Sequence, residues 1–267
     1  MSALDLSILW PALIAGLLVT ATHVPLGTQV LSRGIVFIDI AIAQIAGCGV
    51  LIADRLGFPS AGFAVQVAAF VSALAGALVL TWTERRWPDV QEATIGVTFV
   101  LGATGSVMLL ASNPHGSEHL QDLLVGQILW AQPTQLIAAA AIYALVLAAW
   151  FGARERLGRV GFYVLFALSV TVSVQLVGLY LVFATLIVPP LATRRMQRGR
   201  IPAAWVIGAV GYAAGLVVST VYDLPSGAVI VWALVMAGLA WYAATARAGG
   251  IVPAVRAEPH GSAKSKV

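Results

Sequence analysis

The feature that most constrains this chain is a succession of long apolar segments separated by short polar links. A helix needs about 20 apolar residues to cross a bilayer. Segments apolar enough to do so cover residues 6–24, 34–53, 61–82, 93–112, 134–151, 161–193, 203–221 and 228–246. Only 10% of the 267 residues are charged, whereas a soluble domain has about 25%. The sequence therefore predicts an integral membrane protein that is all-α, because these segments are too long and too uniformly apolar for barrel strands.

The 33-residue segment 161–193 decides the number of spans. It either crosses twice, as two short helices that break near Gly178, or dips into the membrane and returns. The prediction is a polytopic transmembrane helical bundle of eight or nine spans, formed by residues 1–246. The tail 247–267 is polar and rich in Gly, Pro and Ser, and we expect it to be disordered and cytoplasmic.

The positions of Lys and Arg predict the orientation of the bundle. All but one of the 15 basic residues can face the cytoplasm together, which leaves only Arg55 on the outer side. This distribution follows the positive-inside rule and places the C-terminus in the cytoplasm. The net charge of +4 is therefore attributed to membrane orientation, and no nucleic-acid partner is expected.

The sequence lacks the common motif of ATP hydrolysis and contains one match to a zinc-protease motif. The phosphate-binding pattern GxxxxGK[ST] does not occur in the sequence, so the chain has no recognisable means of hydrolysing ATP. The single cysteine, Cys48, excludes an internal disulfide and a cysteine-built zinc site. The stretch HGSEH, with His115, Glu118 and His119, matches the HxxEH pattern of inverted zinc proteases.

The HGSEH stretch has three interpretations. A zinc enzyme needs both histidines on one face of a stable helix, but here the stretch follows Asn-Pro, contains Gly116 and lies in a short connecting loop. It could instead collect metal ions at the outer face, or be an ordinary solvated loop. An intramembrane metalloenzyme remains the third alternative.

Three polar side chains lie within or beside the first two apolar segments: His23, Asp39 and Gln44. An ionised carboxylate in hydrocarbon costs about 3 kcal/mol, and intramembrane acids are usually functional. Asp39 could bind a metal ion with help from Gln44, His23 or a second subunit, or it could relay charge. It could also be a hydrogen-bonded acid that holds helices together. His23 precedes a Pro-Gly helix end, a place that suits a structural hydrogen bond.

The segment GLYLVFATLIVPPLATRRMQRGR, residues 178–200, combines an apolar helix with an arginine-rich continuation. We expect the helix to end at Pro189 and Pro190, because the second proline cannot donate a backbone hydrogen bond.

Four pieces of the sequence, in order, resemble the membrane permease subunit of zinc/manganese-type metal ABC importers. They are LGTQVLSRGIVFIDIAIAQIAGCGV, then EATIGVTFVLGATGSVMLL with HLQDLLVGQILW, then VTVSVQLVGLYLVFATLIVPPLATRRM, and finally YDLPSGAVIVW. Together they cover roughly residues 24–246.

The resemblance implies a homodimeric permease with a type II ABC importer-like fold in a bacterial inner membrane. The chain itself would not be an enzyme and would hold no stably bound cofactor, since ATP would be used by separate ABC ATPase subunits on the cytoplasmic side. A periplasmic metal-binding protein would deliver a divalent ion, either zinc, manganese or iron. Coupling to the ATPase would use Pro189, Pro190, Arg194, Arg195 and Arg198.

The chain departs from the family at the residues that would contact the ion. The second span of the family normally carries an Asp and, four residues later, a His, but the corresponding residues here are Ile40 and Gln44. Asp39 lies one position early, about 140° around the helix from Gln44. The resemblance also matches Glu92 to an acidic position near the cytoplasmic side. A secondary cation transporter or channel that uses Asp39 as its intramembrane ion site is the alternative function.

Overall fold

The computed structural model describes residues 6–59, 62–110 and 128–247, and the regular secondary structure in these ranges is helical. The described residues form eight helices: α1 (Leu6–Arg33), α2 (Ile38–Arg55), α3 (Phe63–Arg86), α4 (Gln91–Leu110), α5 (Pro133–Val177), α6 (Leu179–Ala192), α7 (Arg200–Tyr222) and α8 (Ser226–Arg247). Single 3₁₀ turns at Pro88–Val90 and Ile128–Trp130 precede α4 and α5. The all-α prediction is confirmed for the described residues, and the predicted tail 247–267 lies almost wholly outside them.

Seven segments of the described chain are long and apolar enough to cross a membrane, so the predicted count of eight or nine is not confirmed. They are Ile8–Arg33, Phe63–Arg86, Pro88–Leu110, Pro133–Ala153, Arg156–Val177, Arg200–Tyr222 and Ser226–Ala246. α2 is not among them, and its 18 residues include three charged ones, Asp39, Asp54 and Arg55. α6 has only 14 residues, about 21 Å of helix against a hydrocarbon core of about 30 Å.

α5 is bent into two arms at Gly158, whose φ of 55° and ψ of −155° are not helical. A positive φ of this kind suits glycine, which has no Cβ to clash. The first arm is residues 133–157 and the second arm is residues 159–177. The second arm ends at Gly178, with φ 86° and ψ 161°, and α6 begins at the next residue. The break predicted near Gly178 is therefore present, and the long apolar segment forms two helices.

Small residues allow the helices to approach closely. A Cβ added at Gly49 in α2 would lie 2.6 Å from the Ala68 carbonyl oxygen of α3, and one added at Gly208 in α7 would overlap Thr20 of α1. Membrane bundles commonly pack in this way, because apolar side chains gain little by leaving lipid and close van der Waals contact has to supply the association.

The arginines gather at one end of the bundle. The Arg33 guanidinium at the end of α1 lies 4.4 Å from the centre of the Phe162 ring, near the start of the second arm of α5. The Arg195 guanidinium, between α6 and α7, lies 5.6 Å from the Tyr242 ring near the end of α8. At the opposite end, Arg55 donates a 3.1 Å hydrogen bond to the Leu109 carbonyl. We call the end that holds Arg33 and Arg195 the arginine-rich end. The arginines there whose side chains the structure describes are Arg33, Arg85, Arg86, Arg156, Arg159, Arg194, Arg195, Arg198 and Arg200.

Candidate intramembrane site and arginine elbow

Asp39 lies in the first turn of α2 and is fully buried. α2 packs against α3, α4, α5 and α6, and the Asp39 side chain is not accessible to solvent. The amides of Asp39 and Ile40 are near it at the helix N-terminus, but neither carboxyl oxygen accepts a well-formed hydrogen bond from a described residue. Burying a carboxyl group that has no hydrogen-bond donor beside it costs free energy. Packing alone therefore does not explain why an acid stands at position 39.

His23 is fully buried inside α1, which continues through Pro25 to Arg33. The predicted helix end beside His23 is therefore wrong: the first apolar segment and the link after it form one helix. The Nδ1 atom of His23 lies 3.0 Å from the Val19 carbonyl oxygen and 3.0 Å from the Thr22 hydroxyl. Since a carbonyl can only accept, Nδ1 carries the proton and Nε2 is left as an acceptor. Nε2 is buried with no hydrogen-bond partner among the described residues, the arrangement typical of metal-binding histidines.

Asp39 and His23 do not form a metal site by themselves. Among the described residues, no three His, Cys, Asp or Glu side chains are grouped so that they could hold one ion. Within the described part of the chain, His23 on α1 and Asp39 on α2 thus each keep metal-ligating atoms without a partner, but they belong to no group of three such residues.

Gln44 belongs to the surface of α2 that packs against α4. It is 9% exposed, and a Cβ added at Gly102 of α4 would lie 2.9 Å from the Gln44 Cβ. One turn later, the Cys48 sulfur lies 3.1 Å from the Gly102 carbonyl oxygen and 3.2 Å from the Ser106 hydroxyl. Gln44 thus stands at a tight helix crossing, a common place for a neutral amide in membrane bundles.

Ile40 lies on the wall of an apolar groove between α2 and α4, which has a volume of about 670 Å³. Phe37, Gly96, Val97 and Val100 also line it. Consecutive helical residues point about 100° apart, so the Asp39 carboxyl group is turned into the bundle while the Ile40 side chain reaches the groove. At the position where the resemblance expects an acid, the chain presents an apolar side chain.

Glu92 lies in the first turn of α4, beside the arginine-rich end. It is half-buried, and its Oε2 atom is buried without a hydrogen-bond partner among the described residues. A negative charge in this position complements the helix dipole by a few tenths of a kcal/mol.

The two prolines lie inside α6 rather than at its end. Both are buried, and the helix continues to Ala192. The expectation that the helix ends at Pro189 and Pro190 is wrong by two residues, because a proline ring fits helical φ and the missing N–H affects the carbonyl one turn earlier. The Thr193 amide still donates to the Pro189 carbonyl at 3.2 Å.

Residues 193–199 form a non-helical turn between α6 and α7, which we call the elbow. Arg194, Arg195 and Arg198 are exposed on it. Arg200, the first residue of α7, behaves differently, because its Nη2 atom donates a 3.2 Å hydrogen bond to the Pro190 carbonyl. Sequence reasoning missed Arg200, since nothing in the local pattern separates it from its exposed neighbours.

Sequence reasoning also missed Gly27 of α1, which packs on the end of α6. A Cβ there would overlap the Leu186 carbonyl oxygen and lie 3.0 Å from the Pro190 ring. The available signal was Pro190. Because proline has no N–H group, the carbonyl four residues earlier, that of Leu186, has no helical donor.

His115, Glu118 and His119 fall between residues 111 and 127, outside the described residues. Their role at the outer face stays a prediction.

Comparison with known proteins places this geometry in a family. The model of the ABC 3 transport family matches residues 5–158 and 148–244. A probable iron transport system membrane protein of Haemophilus influenzae is 24% identical over 243 residues, which cover 82% of this chain and 87% of that protein. An uncharacterized membrane protein of Synechocystis sp. is 26% identical over 251 residues, covering 86% and 88%.

A solved structure shows a similar fold. PsaBC from Streptococcus pneumoniae, in complex with a Fab, matches with a TM-score of 0.71 and 21% identity, covering 88% of this chain and 91% of that chain. At this identity the likeness concerns the fold alone. The family match, in contrast, spans nearly all of the described bundle, and the chain belongs to the ABC 3 transport family.

Proposed function

We propose that this chain is the membrane-spanning permease subunit of an ATP-driven importer of divalent metal ions, with zinc, manganese or iron as cargo. The observation that carries the proposal is the family match over residues 5–158 and 148–244. The Haemophilus influenzae relative is named as part of an iron transport system, which supports a metal ion as the cargo.

The energy for transport comes from a separate ABC ATPase, since the sequence holds no phosphate-binding loop of its own. The arginine-rich end faces the cytoplasm of a bacterium, and the C-terminus lies on the same side. Two copies of the chain form a homodimer in the inner membrane, surrounded by lipid. A metal-binding protein delivers the ion from the periplasm.

The elbow is the part of the chain that the ATPase contacts. Arg194, Arg195 and Arg198 offer exposed positive charge there, and Pro189 and Pro190 lie in the last turn of the helix that receives the push. ATP binding can drive a change of state only if the ATPase contacts differ between the outward-open and inward-open permease.

Asp39 and His23 supply ligands along the pathway, and Gln44 lies beside it. Carboxylate and imidazole suit zinc, manganese and iron, and both side chains have unused donor atoms. The remaining ligands come from the second copy, from the backbone or from water. A site with few strong ligands suits transport, because the ion has to leave again.

The decisive experiment is uptake into vesicles that contain the chain, a candidate ATPase and a candidate binding protein. ATP-dependent uptake of zinc, manganese or iron is expected, and Asp39→Asn should lower it. Asp54→Asn is the matched control, because Asp54 is an exposed carboxylate near the opposite end of the same helix.

Three results would count against the proposal. An intact complex that moves no divalent metal would overturn the metal assignment. Uptake that needs no ATPase and follows the proton gradient would indicate the secondary transporter. Equal uptake by Asp39→Asn and wild type would remove Asp39 from the pathway.

A further inference from the structure

Arg200, which follows the elbow, is turned toward the end of α6, unlike the elbow arginines. Arg194, Arg195 and Arg198 are exposed, whereas Arg200 is half-buried and its Nη2 atom donates to the Pro190 carbonyl at 3.2 Å. The Nε atom of Arg200 is buried and has no partner among the described residues. A guanidinium that exchanges water for one backbone oxygen is not simply part of a solvated basic patch.

The Pro190 carbonyl is available because of how α6 ends. In a continuing helix it would accept from the Arg194 amide, but that amide donates to the Leu191 carbonyl at 3.3 Å. The Thr193 hydroxyl lies 3.1 Å from the Pro189 carbonyl oxygen and 3.3 Å from that of Pro190. Thr193 and Arg200 thus both reach the last turn of α6, and a cation there is favoured by the helix dipole.

Gly199 is the last residue of the elbow and precedes α7. This residue has φ 69° and ψ 19°, a left-handed conformation that favours glycine and lets the chain reverse into α7. The guanidinium of Arg200 then spans the turn and joins the first residue of α7 to the end of α6. Arg195, which is exposed on the elbow, stacks its guanidinium over the Tyr242 ring of α8.

We propose that Arg200 is a positioning residue that ties the elbow to the carboxyl end of α6, so that a force on the exposed arginines moves α6 as a unit. The force then reaches α1, because Gly27 packs directly on Leu186 and Pro190. The proposal rests on the proposed function, in which the elbow receives the push of an ATPase. Arg200 itself need not touch that partner.

The first test measures hydrogen exchange of residues 191–200 in the purified permease, without any ATPase. Arg200→Gln should speed exchange of the elbow amides about tenfold, since a charge-assisted hydrogen bond is lost. Arg200→Lys keeps the cation and should restore part of the protection. Arg156→Gln, which removes an exposed arginine from the same end, should leave the elbow unchanged.

Unchanged exchange in Arg200→Gln would overturn the proposal. Faster exchange throughout α6 and α7, instead of in the elbow, would also overturn it, because Arg200 would then support general stability only.

The second test uses the assembled transporter and counts ions moved per ATP hydrolysed. Arg200→Gln should keep the ATPase bound and lower this ratio about fivefold or more. Arg198→Gln, an exposed elbow residue, should weaken ATPase binding instead. A loss of binding in Arg200→Gln equal to that in Arg198→Gln would make Arg200 a docking residue and contradict the proposal. Absence of any ATP-dependent uptake by the wild type would refute the proposed function, while the exchange experiment would still decide the role of Arg200.

Discussion

Gly27 of α1 packs directly on the carbonyl oxygen of Leu186 in α6, with no room for a side chain between the two helices. This oxygen has no helical donor, because the residue four positions later is Pro190 and has no N–H group. The proline exposes the oxygen and the glycine lets α1 approach it, so two residues far apart in sequence produce one close contact.

Gly27→Ala is expected to lower the free energy of unfolding by about 1–3 kcal/mol, the usual cost of overpacking a tight interior. Unfolding in detergent, followed by circular dichroism, measures the change. Gly96→Ala in α4 is the control, because a Cβ there meets nothing within 4 Å and alanine favours helix by up to about 1 kcal/mol. Equal losses in the two variants would show that the contact between α1 and α6 is not tight.

Gly158→Ala tests the bend in α5. The φ of 55° and ψ of −155° at this residue are accessible essentially to glycine alone, so alanine should cost about 1–3 kcal/mol or straighten the helix. Gly152→Ala, six residues earlier in ordinary helix where an added Cβ meets nothing within 4 Å, should be neutral or stabilising. If Gly158→Ala is as stable as Gly152→Ala and a solved structure still shows the bend between the two arms, the proposed backbone strain at residue 158 is wrong.

Asp39→Asn separates a functional carboxyl group from a structural one. The Asp39 oxygens accept no hydrogen bond from a described residue, so removing the acid should leave the unfolding temperature unchanged or raise it, while metal uptake falls. Thermal unfolding and uptake on the same preparation measure both effects. A lower unfolding temperature would instead favour the view that Asp39 holds helices together.

The exposed arginines of the elbow should make ATPase binding dependent on salt. Arg194→Ala combined with Arg198→Ala is expected to weaken binding by about 0.2–1 kcal/mol for each charge and to reduce its salt dependence. Binding at several salt concentrations, for example by surface plasmon resonance, measures both. Arg55→Ala removes an arginine from the opposite end, and a similar effect there would argue against docking at the elbow.

The helical class and the break at Gly178 could be predicted from sequence because they depend on local properties. Apolar length identifies a membrane helix, and a 33-residue apolar segment that contains a glycine near its middle is too long for one helix and can break there. The grouping of the arginines also follows from the sequence. Arg55 aside, links that contain arginines alternate with links that do not, and successive links lie at opposite ends of a bundle. The span count was harder: α2 and α6 are helices that fall short in hydropathy pattern or length.

The directions of individual side chains came from the tertiary structure. Sequence alone could register Asp39 one position away from the expected acid, but only the packing of α2 against four other helices turns that carboxyl group inward and leaves Ile40 on the groove. The inward turn of Arg200 likewise depends on the Pro190 carbonyl at the end of α6, which accepts from the Arg200 guanidinium and not from the Arg194 amide. Hydropathy and glycine act within a few residues along the chain, whereas burial and hydrogen bonding depend on which helices meet, and that is decided by the folded bundle.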